Sequence, residues 1–100
     1  MVNFTTHKKP YDFLREIALR HQALRKQAGF SQSELAKRSG VSLGSLKRFE
    51  RTGQISLASL LQLTDVLNRL NDFEAILQPL ENLEAIEKLF SHKTRNEWNR

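Results

Sequence analysis

One hundred residues make a single domain with room for a short arm or tail, and so short a chain buries a core modest enough to favour dimerisation. The absence of cysteine excludes disulfides, thiol catalysis and cysteine-ligated zinc, and no apolar run approaches the roughly 20 residues of a membrane span. The net charge of +5 divides as +4 over residues 1–30, +3 over 31–55, −4 over 56–90 and +2 over the last ten, so one basic surface is suited to a polyanion and another is not.

Met1 to His7 lacks the apolar core of a signal peptide, and a cytoplasmic protein with an N-terminal arm over residues 1–10 is expected. From there the apolar residues recur at three and four, with no convincing period of two, which predicts helix throughout. A first helix is expected from about Pro10-Tyr11-Asp12 to Ala28, with Phe13, Ile17, Leu24 and Ala28 inward and Gly29 ending it. Ser31 and Glu34 form a capping box for a second helix, which turns Leu35 and Ala36 inward and stops at Gly40. Ser42 caps a third, Leu43 to about Arg51, with Leu46 and Phe49 inward and Gly53 closing it.

Ser56 caps a fourth helix, expected to bury Leu57, Leu60, Leu61, Leu63, Val66, Leu67 and Leu70. Asn71-Asp72 is expected to open a short fifth helix holding Phe73, Ile76 and Leu77, interrupted by Pro79. Pro79 suits the first position of a further helix, in which Leu80, Leu83, Ile86, Leu89 and Phe90 form a stripe opposite Glu81, Glu84 and Glu87. The chain therefore divides into the arm, a domain over 11–78 and a C-terminal helix with a basic tail over 79–100.

The most informative stretch runs from Gln32 to Glu50. Two short helices that cross steeply need a tiny side chain at the contact, which Ala36 supplies. They need a turn residue tolerant of positive φ, which is Gly40. They also need a shared core, which Leu35, Val41, Leu46 and Phe49 provide. The full set within so short a span predicts a helix-turn-helix with its centre over 32–51.

Leu24-Arg25-Lys26-Gln27-Ala28-Gly29-Phe30-Ser31-Gln32-Ser33-Glu34-Leu35-Ala36, with Phe49-Glu50-Arg51-Thr52-Gly53 and Ser56-Leu57-Ala58-Ser59-Leu60-Leu61, resembles the Cro/CI-type repressors, the XRE family, over about residues 14–77. The resemblance implies an all-α, five-helix, lambda-repressor-like DNA-binding domain whose third helix enters the major groove of double-stranded DNA. It implies base-reading positions at Leu43, Gly44 and Arg48, with Lys47 alongside as base reader or phosphate contact, and at Gln32 a residue that grips the phosphate backbone and buttresses the third helix. Many relatives carry polar residues where Leu43 and Gly44 stand; here Leu43 could pack on thymine methyls and Gly44 would allow close approach. Arg48 suits a guanine contact or a phosphate contact. Ser42, Ser45, Lys37, Arg38, Arg51 and the Lys8-Lys9 pair are further phosphate candidates, each otherwise a solvated surface residue.

Phe49 to Gly53, the helix from Ser56 to Leu70 and the pair Asp72-Phe73 also look like HipB-type antitoxins, regulators that bind a HipA-like kinase. The stripe Leu80, Leu83, Ile86, Leu89 and Phe90 serves a core, a homodimer seam or a partner groove on this reading. Trp98 either packs back on its own domain or dimer mate, or anchors a partner. His7, His21 and His92 are too scattered for a metal site, and no phosphate loop or nucleophile–base pair stands out. A binding protein without cofactor, rather than an enzyme, is expected.

Overall fold

Pro10 supplies the fixed φ of a first helical turn, and the backbone N–H of Lys9 donates to the Asp12 carboxylate at 2.8 Å, so the first helix starts where the sequence places it. In the computed structural model, which describes residues 8–80 and Glu87, four α-helices follow one another. They are α1 (Pro10–Gln27), α2 (Gln32–Ser39), α3 (Leu43–Thr52) and α4 (Leu57–Val66). A 3-10 turn, Leu70–Phe73, comes after them, and no strand occurs among the described residues.

The capping chemistry is the expected one. Ser31 accepts from the Glu34 N–H at 3.0 Å while the Glu34 carboxylate takes the Ser31 N–H at 2.9 Å. Ser42 and Ser56 cap α3 and α4 in the same way, accepting from Ser45 and Ser59. Gly40, at φ +79, makes the turn between α2 and α3. Gly53, at φ +87, ends α3 under a tighter constraint, because a Cβ there would lie 2.8 Å from the carbonyl carbon and oxygen of Leu14. The C-terminus of α3 therefore rests directly on the backbone of α1.

The core is small. Ala18 from α1, Leu35 and Ala36 from α2, Val41 from the turn, Leu46 and Phe49 from α3, and Leu60 and Leu63 from α4 close it, with Phe30, Leu43, Ile55, Val66, Leu67 and Phe73 packed around it. Burying each of Phe49, Leu46, Leu35 and Leu63 contributes about 1.5–3 kcal/mol. α1 packs on α3, α2 on both α3 and α4, and α4 on the 3-10 turn.

The structure corrects several expectations. The inward line of α1 is Ala18, His21 and Arg25, while Phe13 and Ile17 are 49% and 39% exposed and Ala28 is also on the surface. Small Ala18 lets α1 sit close to the core, which puts the bulkier Phe13 and Ile17 on the flank. Of the set expected in the fourth helix, Leu60 and Leu63 are buried and Leu61, Val66 and Leu67 half-buried, while Leu57, at the start of α4, and Leu70, beyond its end in the 3-10 turn, are exposed. The fifth helix is absent as an α-helix, so the described chain has four rather than five.

Its failure has a local cause. Asn68 adopts φ +62 and ends α4, and Leu77 adopts φ +59 just before Gln78-Pro79. Proline disfavours helical geometry in the preceding residue, and the few residues between these breaks are too short for a helix without strong packing. Ile76 and Leu77 are accordingly exposed, Leu77 by 94%. The further helix and tail expected from Glu81 onward, with Leu83, Ile86, Leu89, Phe90 and Trp98, lie outside the described residues, as does the arm before Lys8.

Candidate nucleic-acid interface

α3 presents its outer face through Gly44, Ser45, Lys47, Arg48 and Arg51, all exposed, while Leu46, Phe49 and Glu50 hold the inner face. The burial of Glu50 sets this orientation. Its carboxylate, with the side chain 3% exposed, takes Arg25 Nε at 2.7 Å on Oε2. On Oε1 it takes Arg25 Nη2 at 3.1 Å, Gln32 Nε2 at 2.9 Å and Gln22 Nε2 at 3.1 Å. Arg25 also donates through Nη1 to the Phe30 carbonyl at 2.8 Å. One buried carboxylate thus ties α1, the α1–α2 turn and α2 to the recognition-side helix.

Burial pushes the Glu50 carboxyl upward, but Arg25, then Gln32 and Gln22, favour the ionised form and hold its pKa below the ordinary value. A paired, fully bonded charge of this kind fixes geometry more than it adds stability over an apolar alternative. Neither Arg25 nor Glu50 was singled out from the sequence. Helical spacing points to Arg25 only once Ala18 and His21 are known to face inward, whereas Glu50 adjoins the inward Phe49 in the sequence itself.

Gln32 is half-buried, and its amide is turned toward Glu50, which makes it a buttress for α3. Ser42 and Ser45 are exposed at the N-terminus of α3; Ser42 Oγ accepts from the Ser45 N–H at 3.1 Å and donates to Ser45 Oγ at 2.9 Å. Leu43 is half-buried against the core, so only part of it belongs to the outer face. Gly44 is fully on that face, and a Cβ added there would meet nothing within 4 Å. The fold has no need of glycine at that position.

Arg48 extends from the same face, with Nη2 donating to Gln54 Oε1 at 3.0 Å. Beside it opens a groove lined by Leu14, Ser45, Arg48, Gln54, Ile55, Ser56 and Ser59, where the first turn of α4 meets α3 and α1. Arg51 is exposed, and its carbonyl accepts from Arg15 of α1, a second tie across the same helix end. Lys37 and Arg38 lie exposed in the last turn of α2, and the Arg38 guanidinium stands 4.9 Å over the Phe30 ring, which draws it toward the α1–α2 turn. Lys8 pairs with Glu16 at 2.6 Å and lies 5.4 Å over Phe13.

His21 is 5% exposed and stands edge-on to Phe49 at 5.4 Å. Thr64 Oγ1 spends its hydrogen on the Leu60 carbonyl at 2.7 Å, so at the 3.4 Å contact it accepts from His21 Nε2. Nδ1 is then the unprotonated nitrogen, buried without a partner among the described residues. Burial lowers the His21 pKa, Glu50 opposes that, and Arg25 adds to it.

Of the apolar surface set, Leu80 is exposed at the end of the described chain, near in sequence to Ile76 and Leu77. Ile76 lines a second cleft with Ile17, Leu24, Leu60 and Phe73. Among the described residues, no helix is long and apolar enough to cross a membrane.

A family model described as helix-turn-helix matches residues 22–71, half of the chain. No curated protein and no solved structure matches.

Proposed function

The chain belongs to the helix-turn-helix family and is in that capacity a DNA-binding transcription regulator; we propose that it is a repressor, which docks α3 in the major groove of an operator as a homodimer. The observation that carries this reading is the outer face of α3, where Gly44, Lys47 and Arg48 stand exposed while Glu50 locks the inner face to α1 and α2. A helix held so firmly on one side presents the other in a fixed orientation, as base readout requires.

On this reading Arg48 makes a bidentate guanine contact, Gly44 admits the groove wall and the exposed part of Leu43 meets a thymine methyl. Lys47, Ser42, Ser45 and Arg51 engage phosphates, as Lys37 does from the flank. Gln32 acts chiefly by bracing α3 through Glu50, and Arg38 contributes least, being drawn to Phe30. One α3 spans too few base pairs for useful specificity, so two copies bind half-sites about one DNA turn apart. The exposed apolar residues Phe13, Ile17, Ile76, Leu77 and Leu80 supply surface for such a pairing. The reading is that of a binding protein and assigns no catalysis.

The test is a fluorescence-anisotropy titration with the region upstream of the chain's own gene, beside a scrambled duplex, at several salt concentrations. A strong preference for the upstream duplex that is lost in Arg48→Ala supports the reading. Equal, steeply salt-dependent binding to both would mean that the basic face grips phosphates alone.

A second reading, a HipB-type antitoxin that neutralises a HipA-like kinase, is favoured by one specific feature. The sequence from residue 56 to 90 is net acidic after a basic first half, a charge that suits a protein partner rather than DNA. Truncating residues 91–100, which removes Trp98, discriminates: loss of kinase binding with DNA binding retained supports the antitoxin.

A further inference from the structure

We propose that Gln54 is a positioning residue for Arg48, holding its guanidinium where the remaining N–H groups can meet a guanine edge. The proposal rests on the reading of Arg48 as the base contact. Arg48 Nη2 donates to Gln54 Oε1 at 3.0 Å. Gln54 is itself anchored, because its backbone N–H donates to Thr52 Oγ1 at 3.1 Å, and that hydroxyl donates to the Arg48 carbonyl at 2.8 Å. The three residues form a closed ring of hydrogen bonds around the end of α3.

The ring stands on a fixed base. Gly53, between Thr52 and Gln54, is at φ +87 and so close to Leu14 that no Cβ fits. The turn that carries Gln54 therefore cannot slide along α1. An arginine on an open helix face samples many rotamers, and immobilising it weakens a contact about two- to tenfold. Gln54 offsets part of that before DNA arrives.

The chemistry of the partner fits this role. A guanidinium has five N–H groups, and Gln54 engages one, leaving more than the two that a guanine edge takes. Glutamine accepts the bond without neutralising the cation, so Arg48 keeps its full charge for DNA. A carboxylate at the same place would also hold the guanidinium but would repel the phosphates flanking the groove.

The experiment uses a duplex carrying the site that the full chain recovers from a randomised pool, and a set of duplexes with each base pair of that site replaced in turn. Wild type, Arg48→Ala, Gln54→Ala and Gln54→Glu are titrated on all of them. Arg48→Ala is expected to lose about 5- to 150-fold of discrimination at one G·C pair in each half-site. Gln54→Ala is expected to lose about two- to tenfold at that same pair alone, with unchanged binding to non-specific DNA and an unchanged salt slope. Gln54→Glu should retain the discrimination while binding every duplex more weakly.

Gln54→Ala that weakens all duplexes equally, or leaves discrimination at that pair intact while Arg48→Ala abolishes it, overturns the positioning role. Arg48→Ala that changes discrimination at no pair overturns the underlying reading instead, so the two failures are distinguishable.

Discussion

Removing the Glu50 carboxylate probes the device that orients α3. In Glu50→Ala, Arg25 loses both of its bonds to the carboxylate and keeps its charge, with the side chain 8% exposed and a single bond left, to the Phe30 carbonyl. Gln32 and Gln22 lose their acceptor as well. Breaking a buried pair by removing one partner costs about 3–5 kcal/mol, because the other charge stays buried and uncompensated. A domain of this size holds about 5–15 kcal/mol in all, so the loss is a large share. At about 4–8 °C per kcal/mol, the melting temperature should fall by at least about 12 °C. The double variant Arg25→Met/Glu50→Leu should recover most of this, since apolar replacements of similar volume leave no orphaned charge. Urea denaturation of wild type, Glu50→Ala, the singles Arg25→Met and Glu50→Leu, and the double variant tests the loss and closes the cycle. A loss below about 1 kcal/mol in Glu50→Ala, or a double variant no better than the worse single one, would refute the argument.

Other expectations follow from single positions. Gly44→Ala should leave the fold intact or raise its stability by up to about 1 kcal/mol, since the added methyl meets nothing, yet weaken operator binding if DNA approaches there. Melting temperature and affinity measured together show whether they move in opposite directions; an unchanged affinity would remove Gly44 from the interface. Gly53→Ala should cost at least about 2 kcal/mol in urea titration, from the left-handed φ and the collision with Leu14.

Acid should act first through His21. Its folded pKa lies below the ordinary value, so the unfolded chain takes up a proton that the folded chain refuses. The stability it contributes is full above about pH 6.5 and is lost as the pH falls below that value. His21→Leu should flatten this limb in the urea midpoint; the same slope in both proteins would exclude His21 as its source. Glu50, whose folded pKa is also depressed, contributes stability that is lost at lower pH, below about 4.3.

Much of this structure was legible in the sequence, because its signals are local. The Ser31–Glu34 box, the Ser42 and Ser56 caps and the glycines at 40 and 53 each need only a few neighbouring residues, and each marks its helix end within a residue or so. The rotation of α1 was not legible. Phe13 and Ile17 have the hydrophobicity of a core face, but the long-range contact of Ala18 with the core and the reach of Arg25 to Glu50 decide which side turns inward.

The fifth helix failed for a related reason. The break at Pro79 is plain in the sequence, whereas the positive φ at Asn68 and Leu77, which leaves room only for a 3-10 turn, is not. In the candidate interface, the resemblance points to Gly44, Ser45, Lys47 and Arg48, and all four are exposed on the outer face of α3. The Arg25–Glu50 pair and the Arg48–Gln54 bond depend on partners 25 and 6 residues away, which periodicity does not reveal.

The central claim is that α3 reads base sequence. Selection of bound duplexes from a fully randomised pool by the full-length chain tests it most directly. The account predicts an enriched, two-fold symmetric motif with half-sites about 10–10.5 base pairs apart, centre to centre. A pool that stays random after repeated rounds, while the chain still binds it in a salt-dependent way, would contradict the account.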